Sequence, residues 1–208
     1  MRIAVITNDD LKAELLAQGV QEGNAIDWLS APAASGEWDA CIDLLFTPEQ
    51  DRINALKAMP SSLYLLNDVC GSTINLPPAF VGFNGWATLL SRTVIELADT
   101  DAGTRAAAEK ILACFNRKAA WLPDQPGFVT ARVISMIINE AYLTLEAGVS
   151  SRDDIDTAMQ LGTSYPYGPF TWSRLIGPGQ IVKLLLQLSL TSPRYQPSPL
   201  LQQEAAIV

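Results

Sequence analysis

The first half of the chain alternates short apolar runs with segments that carry helix signals. Arg2–Ile6 is an apolar run typical of a buried strand. Asn8 follows as a helix N-cap, and Asp9 and Asp10 then lie in the first helical turn, where carboxylates are favourable. The chain therefore opens with a strand and a helix.

This alternation continues along the chain. Residues 40–46 predict a buried strand, followed by Thr47 as N-cap, Pro48 at the first helical position and Gln50 closing a capping box, for a helix that ends near Ala58. Similar reasoning predicts further strands at 62–66, 79–83, 93–97 and 118–122, and a helix at 99–115. Alternating strands and helices predict a mostly parallel α/β domain.

From Pro126 onward the hydrophobic period becomes helical. Residues 128–147 form a helix that is apolar on more than one face and ends at Gly148. Ser150 or Ser151 caps a second helix through Leu161, residues 165–169 make a rigid elbow, and another helix covers 181–190. We therefore expect two domains, an α/β domain over 1–123 and a helical domain over 124–208, with no internal repeat.

Composition supports a packed globular protein. The 208 residues are 49% hydrophobic and 17% charged, and the net charge is −8. All of the acidic excess lies in residues 1–100, which carry five basic and 13 acidic side chains. This charge is unfavourable for a nucleic-acid partner. The longest uncharged stretch, 69–91, is broken by prolines and glycines, so we expect no membrane span and a cytoplasmic protein.

The chain contains no histidine, the side chain best suited to proton transfer near neutral pH. Catalytic triads that depend on histidine are therefore excluded. The three cysteines, Cys41, Cys70 and Cys114, show no C-x-x-C spacing, so no metal site is predicted and buried free thiols are the simplest interpretation.

An ordered series of short motifs in the second half resembles the C-terminal domain of the NAD-dependent 3-hydroxyacyl-CoA dehydrogenases of fatty-acid β-oxidation. The motifs are PGFV at 126–129, NEA at 139–141, GVS at 148–150, DIDTAM at 154–159, LG at 161–162, YPxGPF at 165–170 and PSPLL at 197–201. The resemblance implies a Rossmann-like parallel sheet domain, here reduced in length, followed by the family's helical domain. It also implies a homodimer formed through the helical domain and an acyl-CoA-type ligand.

The residues expected to bind NAD differ from the family pattern. A dinucleotide needs a glycine-rich turn after the first strand, where bare backbone amides reach the pyrophosphate. Here residues 7–12 read TNDDLK, and the first glycine of the chain is Gly19. Asp9 and Asp10 stand where phosphate oxygens belong, although they also simply stabilise their own helix. No cofactor is therefore predicted, and NAD would be needed only if activity is retained.

The resemblance also identifies candidate site residues. Aligned on Gly82 and Glu96, Asn84 takes the place of the family's catalytic histidine, while Glu96 keeps the place of the glutamate that orients it. The family's substrate loop, which resembles S-N-T-S-S, matches residues 66–70 and gives Asn67 and Cys70 as candidate substrate contacts. An amide cannot accept a proton at neutral pH, so the general-base step lacks its usual agent.

Three functions remain open at this point. The chain is a dehydrogenase relative that has lost catalysis and binds an acyl-CoA-type ligand as a dimer, or it is still an oxidoreductase in which water or Glu96 takes the proton. The third is a purely structural role in an assembly. Outside these functions, Glu96 is an ordinary residue at a strand end, and Asn67 and Asn84 are turn formers.

Overall fold

The first 122 residues contain seven strands and three helices, and the elements described beyond them are helices. In the computed structural model, which describes residues 1–207, the chain divides into two units, Met1–Phe128 and Val129–Val208. The strands are β1 Arg2–Ile6, β2 Ala25–Leu29, β3 Ala40–Asp43, β4 Tyr64–Leu66, β5 Phe80–Gly82, β6 Val94–Ala98 and β7 Lys118–Leu122. The helices are α1 Asp9–Leu16, α2 Gln50–Lys57, α3 Ala102–Cys114, α4 Thr130–Glu146, α5 Arg152–Thr163, α6 Pro169–Ile176, α7 Pro178–Ser189 and α8 Pro199–Ile207, with a 3-10 turn at Pro193–Tyr195.

The first unit is built on a parallel sheet, as the sequence predicts. Its five strands lie in the order β2-β1-β3-β4-β5, and every adjacent pair is parallel. The strands β6 and β7 form a separate parallel pair, and one antiparallel bridge joins Phe83 to Leu97. In open parallel sheets, ligands bind beyond the carboxyl ends of the strands where the strand order reverses, which here is between β1 and β3.

The two faces of the five-stranded sheet are covered differently. Ile3 and Val5 of β1 pack on one face in a cluster with residues of α1 and α3. Ala4 and Ile6 point to the other face, where α2 is the helix in the cluster. Two connections without a helix, residues 30–39 and 67–79, complete this second face with Ala33, Trp38, Leu76 and Ala79.

Several predicted elements differ in detail from the structure. The strand predicted at 40–46 ends at Asp43, because the Asp43 side chain accepts the Leu45 N–H at 3.0 Å and turns the chain. The predicted Thr47 cap is wrong: α2 begins at Gln50 after Glu49, which makes no capping hydrogen bond. The cap at Asn8 is confirmed, and of the two serines proposed for α5 the cap is Ser151.

Strand β2 and helices α6 and α8 were not predicted, and only the first two depend on polar or distant contacts. Strand β2 contains Asp27 and is only half-buried at the sheet edge, so it lacks an apolar run. Helix α6 is capped by Asp156 of α5, whose carboxylate accepts the N–H groups of Phe170 and Thr171 at 2.7 and 3.0 Å. Helix α8 has a local signal that was missed, since Ser198 Oγ accepts the Leu201 N–H before a proline-started helix.

A polar cluster joins four helices of the second unit. The hydroxyl of Tyr142 on α4 donates to Glu204 of α8 at 2.6 Å and lies 3.2 Å from Ser173 Oγ of α6. Arg152 of α5 forms an ion pair with Glu204, and its guanidinium lies 5.3 Å from the Tyr142 ring centroid. Each buried polar group in this cluster is therefore paired, as a stable core requires.

Among residues 1–207 we find no helix that combines the length and apolar character needed to cross a lipid bilayer.

A buried ion pair fixes α2 to the sheet. The Asp43 carboxylate is fully buried and bonds Arg52 Nη2 at 2.7 Å and Nε at 2.9 Å. Burial raises the pKa of Asp43, even though the bonds from Arg52 and from the Leu45 N–H oppose that rise. The folded carboxyl group thus binds a proton more tightly than the unfolded one, so ionised Asp43 reduces stability above its folded pKa.

We expect Arg52→Met to lower the free energy of unfolding at pH 8 by about 3–5 kcal/mol, because it leaves Asp43 buried without its cation. Without Arg52 the folded pKa of Asp43 rises further, so this loss should shrink as the pH falls towards 5. Urea unfolding at both pH values measures this loss.

In the double variant Asp43→Asn/Arg52→Met much of the stability should return. Arg2→Met, which removes an exposed ion pair with Asp27, should cost less than about 1 kcal/mol. Equal losses for Arg2→Met and Arg52→Met would contradict this account.

Candidate functional site

The turn from β1 into α1 has only two residues, Thr7 and Asn8. Asn8 Oδ1 accepts the Leu11 N–H at 2.9 Å, and Thr7 Oγ1 donates to the Asn8 carbonyl at 2.9 Å. Asp9 and Asp10 are exposed in the first turn of the helix. The positive end of α1 is therefore already occupied by a side-chain cap and faces two carboxylates of its own.

The end of β2 is a second position where a dinucleotide site needs a particular side chain. The residues there are Leu29 and Ser30, neither of which carries a carboxylate. The nearest acidic residue in the sequence, Asp27, lies within the strand and accepts bonds from Arg2 Nε at 2.9 Å and Trp38 Nε1 at 2.7 Å. No apolar run marks β2 in the sequence, so this position is not recognisable from the sequence alone.

Asn84 and Glu96, the two candidate catalytic residues, are in direct contact. Asn84 Nδ2 donates to Glu96 Oε2 at 2.9 Å, and the Asn84 N–H donates to the Glu96 carbonyl at 2.9 Å. Asn84 Oδ1 accepts the Trp86 N–H at 3.4 Å, and the Asn84 side chain is buried. Both polar atoms of the Asn84 amide are thus used in holding β5, its following turn and β6 together.

Asn67, a candidate substrate contact, also bonds to the protein itself. Its Nδ2 donates to the Leu44 carbonyl at 3.0 Å, and its Oδ1 accepts the Gly85 N–H at 2.9 Å. A Cβ atom at Gly85 would lie 2.9 Å from Asn67 Cγ, so this approach requires glycine. Cys70, the other candidate, is buried on the connection 67–79 and forms no disulfide. The structure thus brings Asn67 close to Asn84 through Gly85, at the carboxyl edge of the sheet.

The segment after Asn84 is held by Glu14 of α1, a contact that the sequence did not indicate. The Thr88 N–H donates to both carboxylate oxygens of Glu14, at 2.6 and 2.8 Å. Thr88 has a φ of +69°, which is uncommon for a β-branched residue and costs about 1–3 kcal/mol. Its hydroxyl is buried without a hydrogen-bond partner. A strained residue is therefore held in place by a carboxylate.

Beneath this contact lies Arg117, which is 3% exposed. Its guanidinium donates to the main-chain carbonyls of Glu14 at 2.8 Å, Leu15 at 2.6 Å and Leu90 at 3.1 Å. Burial lowers the pKa of Arg117, and the charge of Glu14 opposes this. No local pattern marks Arg117 for this role, because two of its partners, Glu14 and Leu15, are about 100 residues away along the chain.

In the described part of the chain, no group of three or more Cys, Asp or Glu residues is arranged to hold a metal ion.

The second unit carries an open groove of about 470 Å³ on α4. Its apolar wall contains Val133, which is 51% exposed. Two arginines and a glutamate border it, and the Arg194 guanidinium lies 4.6 Å from the Tyr195 ring centroid. The groove is lined by Arg132, Val133, Met136, Ile137, Glu140, Arg194 and Tyr195.

Comparison with known proteins identifies the helical unit. Residues 127–206 match the family model for the 3-hydroxyacyl-CoA dehydrogenase C-terminal domain. The 3-hydroxyadipyl-CoA dehydrogenase of Escherichia coli is 47% identical over 88 residues, which are 41% of this chain and 18% of that protein. The 3-hydroxybutyryl-CoA dehydrogenase of Bradyrhizobium diazoefficiens is 32% identical over 130 residues, 60% of this chain and 44% of that protein.

The fold extends the likeness beyond the helical unit. The crystal structure of FadB2 from Mycobacterium tuberculosis superposes with a TM-score of 0.77 over 99% of this chain and 93% of that chain, at 16% identity. At this identity the superposition shows a shared fold. The chain spans less than half the length of the curated relatives described above. Residues 127–206 therefore match the C-terminal domain of the 3-hydroxyacyl-CoA dehydrogenases, and the chain as a whole shares its fold with FadB2.

Proposed function

We propose that this chain is a dimeric, non-catalytic member of the family that binds an acyl-CoA-type ligand without using NAD. The observation that carries this proposal is the contact between Asn84 and Glu96, in which an amide stands where the resemblance places the catalytic histidine. A neutral amide can donate and accept hydrogen bonds, but it cannot remove a proton from a hydroxyl group at neutral pH.

The geometry around Asn84 supports loss of the base rather than its replacement. Both polar atoms of the amide are engaged within the protein, and Glu96 accepts a bond from that amide. A carboxylate held in this way orients its partner and is not aimed at a substrate. Asn67 is engaged in the same manner, between Leu44 and Gly85.

The residues present do not fit NAD. A pyrophosphate needs unobstructed amides at the start of α1, but the Leu11 N–H is bonded to Asn8, and Asp9 and Asp10 add negative charge there. The ribose hydroxyls are usually bound by an acidic residue at the end of the second strand, where this chain has Leu29 and Ser30. The acidic excess of residues 1–100 further disfavours an anionic cofactor.

An acyl-CoA-type ligand is supported by the relatives. The two described above are named for acting on 3-hydroxyadipyl-CoA and 3-hydroxybutyryl-CoA. The first of them is 47% identical to this chain over 88 residues. The three cysteines are buried and form no disulfide, which supports a reducing compartment such as the cytoplasm.

We expect calorimetric titration with NADH to give no saturable heat up to about 1 mM, the upper end of usual Michaelis constants. Acetoacetyl-CoA alone should bind, and the two together should give no oxidation of NADH. The E. coli 3-hydroxyadipyl-CoA dehydrogenase serves as the positive control. NADH oxidation that disappears in Glu96→Gln would overturn the proposal in favour of a retained oxidoreductase. A dimer that binds neither ligand would instead indicate a structural role.

The homodimer is supported by the outer face of α4. Val133 and Leu143 of this helix and Val129 just before it are 51%, 39% and 55% exposed, which is unusual for apolar residues along one face. The groove beside them carries both arginines and Glu140, so two copies related by a two-fold axis could pair opposite charges. The resemblance implies the same domain as the dimer contact.

Val133→Glu should convert the dimer to a monomer, because it places a charge in the proposed apolar contact. The matched control is Val94→Glu on β6, since Val94 is exposed to a similar degree, 49%, but lies in the other unit. Size-exclusion chromatography with light scattering measures the mass of each variant. The proposed contact is wrong if both variants stay dimeric, or if the unmodified chain is a monomer at micromolar concentration.

A further inference from the structure

Asn84 and Gly85 form the one Asn-Gly pair in the sequence. In such a pair the glycine N–H lies unshielded beside the asparagine amide, because glycine has no Cβ and its backbone moves freely. The Gly85 nitrogen can then attack Asn84 Cγ and close a succinimide ring. Among the asparagines of this chain, Asn84 is therefore the one most prone by its sequence to lose its amide group.

We propose that Asn84–Gly85 is a deamidation site that Asn67 keeps unreactive in the folded protein, and that the reaction prevents residues 84–86 from re-forming their contacts. The inference does not rest on the proposed function, because it needs no ligand. The bond from Gly85 N to Asn84 Cγ forms and the Cγ–Nδ2 bond breaks, and ammonia leaves with the proton of the Gly85 N–H. One water then opens the ring to aspartate or isoaspartate, and no group is oxidised or reduced.

The space at position 85 explains why glycine follows this asparagine. A Cβ atom there would lie 2.8 Å from Phe83 Cε2 and 2.9 Å from Asn67 Cγ, so a larger residue does not fit without a shift. A bulky side chain on the next residue, which would hinder the attack, is thus excluded by the packing. The protection of the Asn84 amide must come from hydrogen bonds instead.

The atoms that would react are all held by hydrogen bonds. The attacking nitrogen is engaged, because the Gly85 N–H donates to Asn67 Oδ1 at 2.9 Å. Asn84 Nδ2, the leaving group, donates to Glu96 Oε2 at 2.9 Å, and Asn84 Oδ1 accepts the Trp86 N–H at 3.4 Å. Asn84 is only 3% exposed, which also limits access of water. Attack must break these bonds, so the reaction proceeds from a locally open state.

The product cannot resume the contact with Glu96. Aspartate and isoaspartate both carry a carboxylate where Asn84 has its Nδ2 donor, and Glu96 Oε2 is itself an acceptor. Two carboxylates at hydrogen-bond distance repel each other unless they share a proton. One opening event at this segment is thereby converted into a permanent change.

Peptide mapping by mass spectrometry, with aspartate and isoaspartate separated from asparagine, tests the protection. At pH 8, deamidation of Asn84 should be at least about tenfold slower in the folded chain than in the chain unfolded in urea, because each hydrogen bond of the segment lowers the open population several-fold. Equal rates in the folded and unfolded chains would overturn the proposal.

Asn67→Ala and Asn67→Asp form a matched pair of variants. Both lose the bond from Asn67 Nδ2 to the Leu44 carbonyl, but aspartate keeps an acceptor for the Gly85 N–H. Asn84 should deamidate about three- to tenfold faster in Asn67→Ala than in Asn67→Asp. Equal rates in the two folded variants would show that the Gly85 contact does not protect. The comparison of the folded and unfolded unmodified chain decides the question if Asn67→Ala does not fold.

Asn84→Asp introduces the aspartate product directly. Hydrogen exchange of the Gly85 and Trp86 amides, corrected for intrinsic rate and read by NMR, should be at least about tenfold faster at pH 8 than in the unmodified chain, because Asp at 84 and Glu96 are then both charged. The difference should shrink towards pH 4, where the two carboxyl groups share protons. Exchange that stays as slow as in the unmodified chain at pH 8 would refute the claim that the product cannot close.

Discussion

A parallel sheet needs apolar cover on both faces, and this requirement shapes the first unit of the chain. One face is covered by α1 and α3, while the other has α2 and two connections that contain no helix. Because α2 is the single helix in the cluster on that second face, the cover of the face depends on how firmly α2 is attached to the sheet. The buried pair of Asp43 and Arg52 provides that attachment at the carboxyl end of the central strand β3.

The connections without a helix also affect the hydrogen bonding at the carboxyl edge of the sheet. A connection without a helix leaves backbone N–H and C=O groups in its turns that need hydrogen-bond partners. Polar side chains at this edge supply some of those partners. Asn67 bonds Leu44 and Gly85, and Asn84 bonds Glu96. At this edge these polar side chains therefore bond to other groups of the protein.

In the second unit, two motif residues hold helices in place through hydrogen bonds. Asn139 of the NEA motif accepts the Ser198 N–H at 2.8 Å and donates to the Gln196 carbonyl at 3.0 Å, so it joins α4 to the start of α8. Asp156 of the DIDTAM motif caps α6. Two of the motifs shared with the 3-hydroxyacyl-CoA dehydrogenase C-terminal domain thus supply a helix anchor and a helix cap. Such residues remain necessary whether or not a reaction is catalysed.

The range of these contacts along the chain explains which elements and site residues could be predicted from the sequence. Elements with local signals were predicted well, such as β1, the helix capped by Asn8, and β7 at Lys118–Leu122. Strand β2 was missed because its polar Asp27 is satisfied by distant residues. The candidate pair of Asn84 and Glu96 came from the resemblance, which places them at two positions that are paired in the family. The structure shows them in contact. Glu14 and Arg117 could not be found, since no pattern in one sequence records a partner some 70 to 100 residues away.

The connection between β2 and β3 sets a lower limit on the length of this domain. Residues 30–39 must return along a five-residue strand, about 17 Å, cross two strand spacings, about 10 Å, and rise over the side chains of the sheet. Ten residues reach about 35 Å when fully extended. Little slack therefore remains, and Trp38 must serve both as a link in the chain and as cover for the sheet. Deletion of even a few residues here would force β3 to shift its register, so this crossover is close to the shortest that the topology permits.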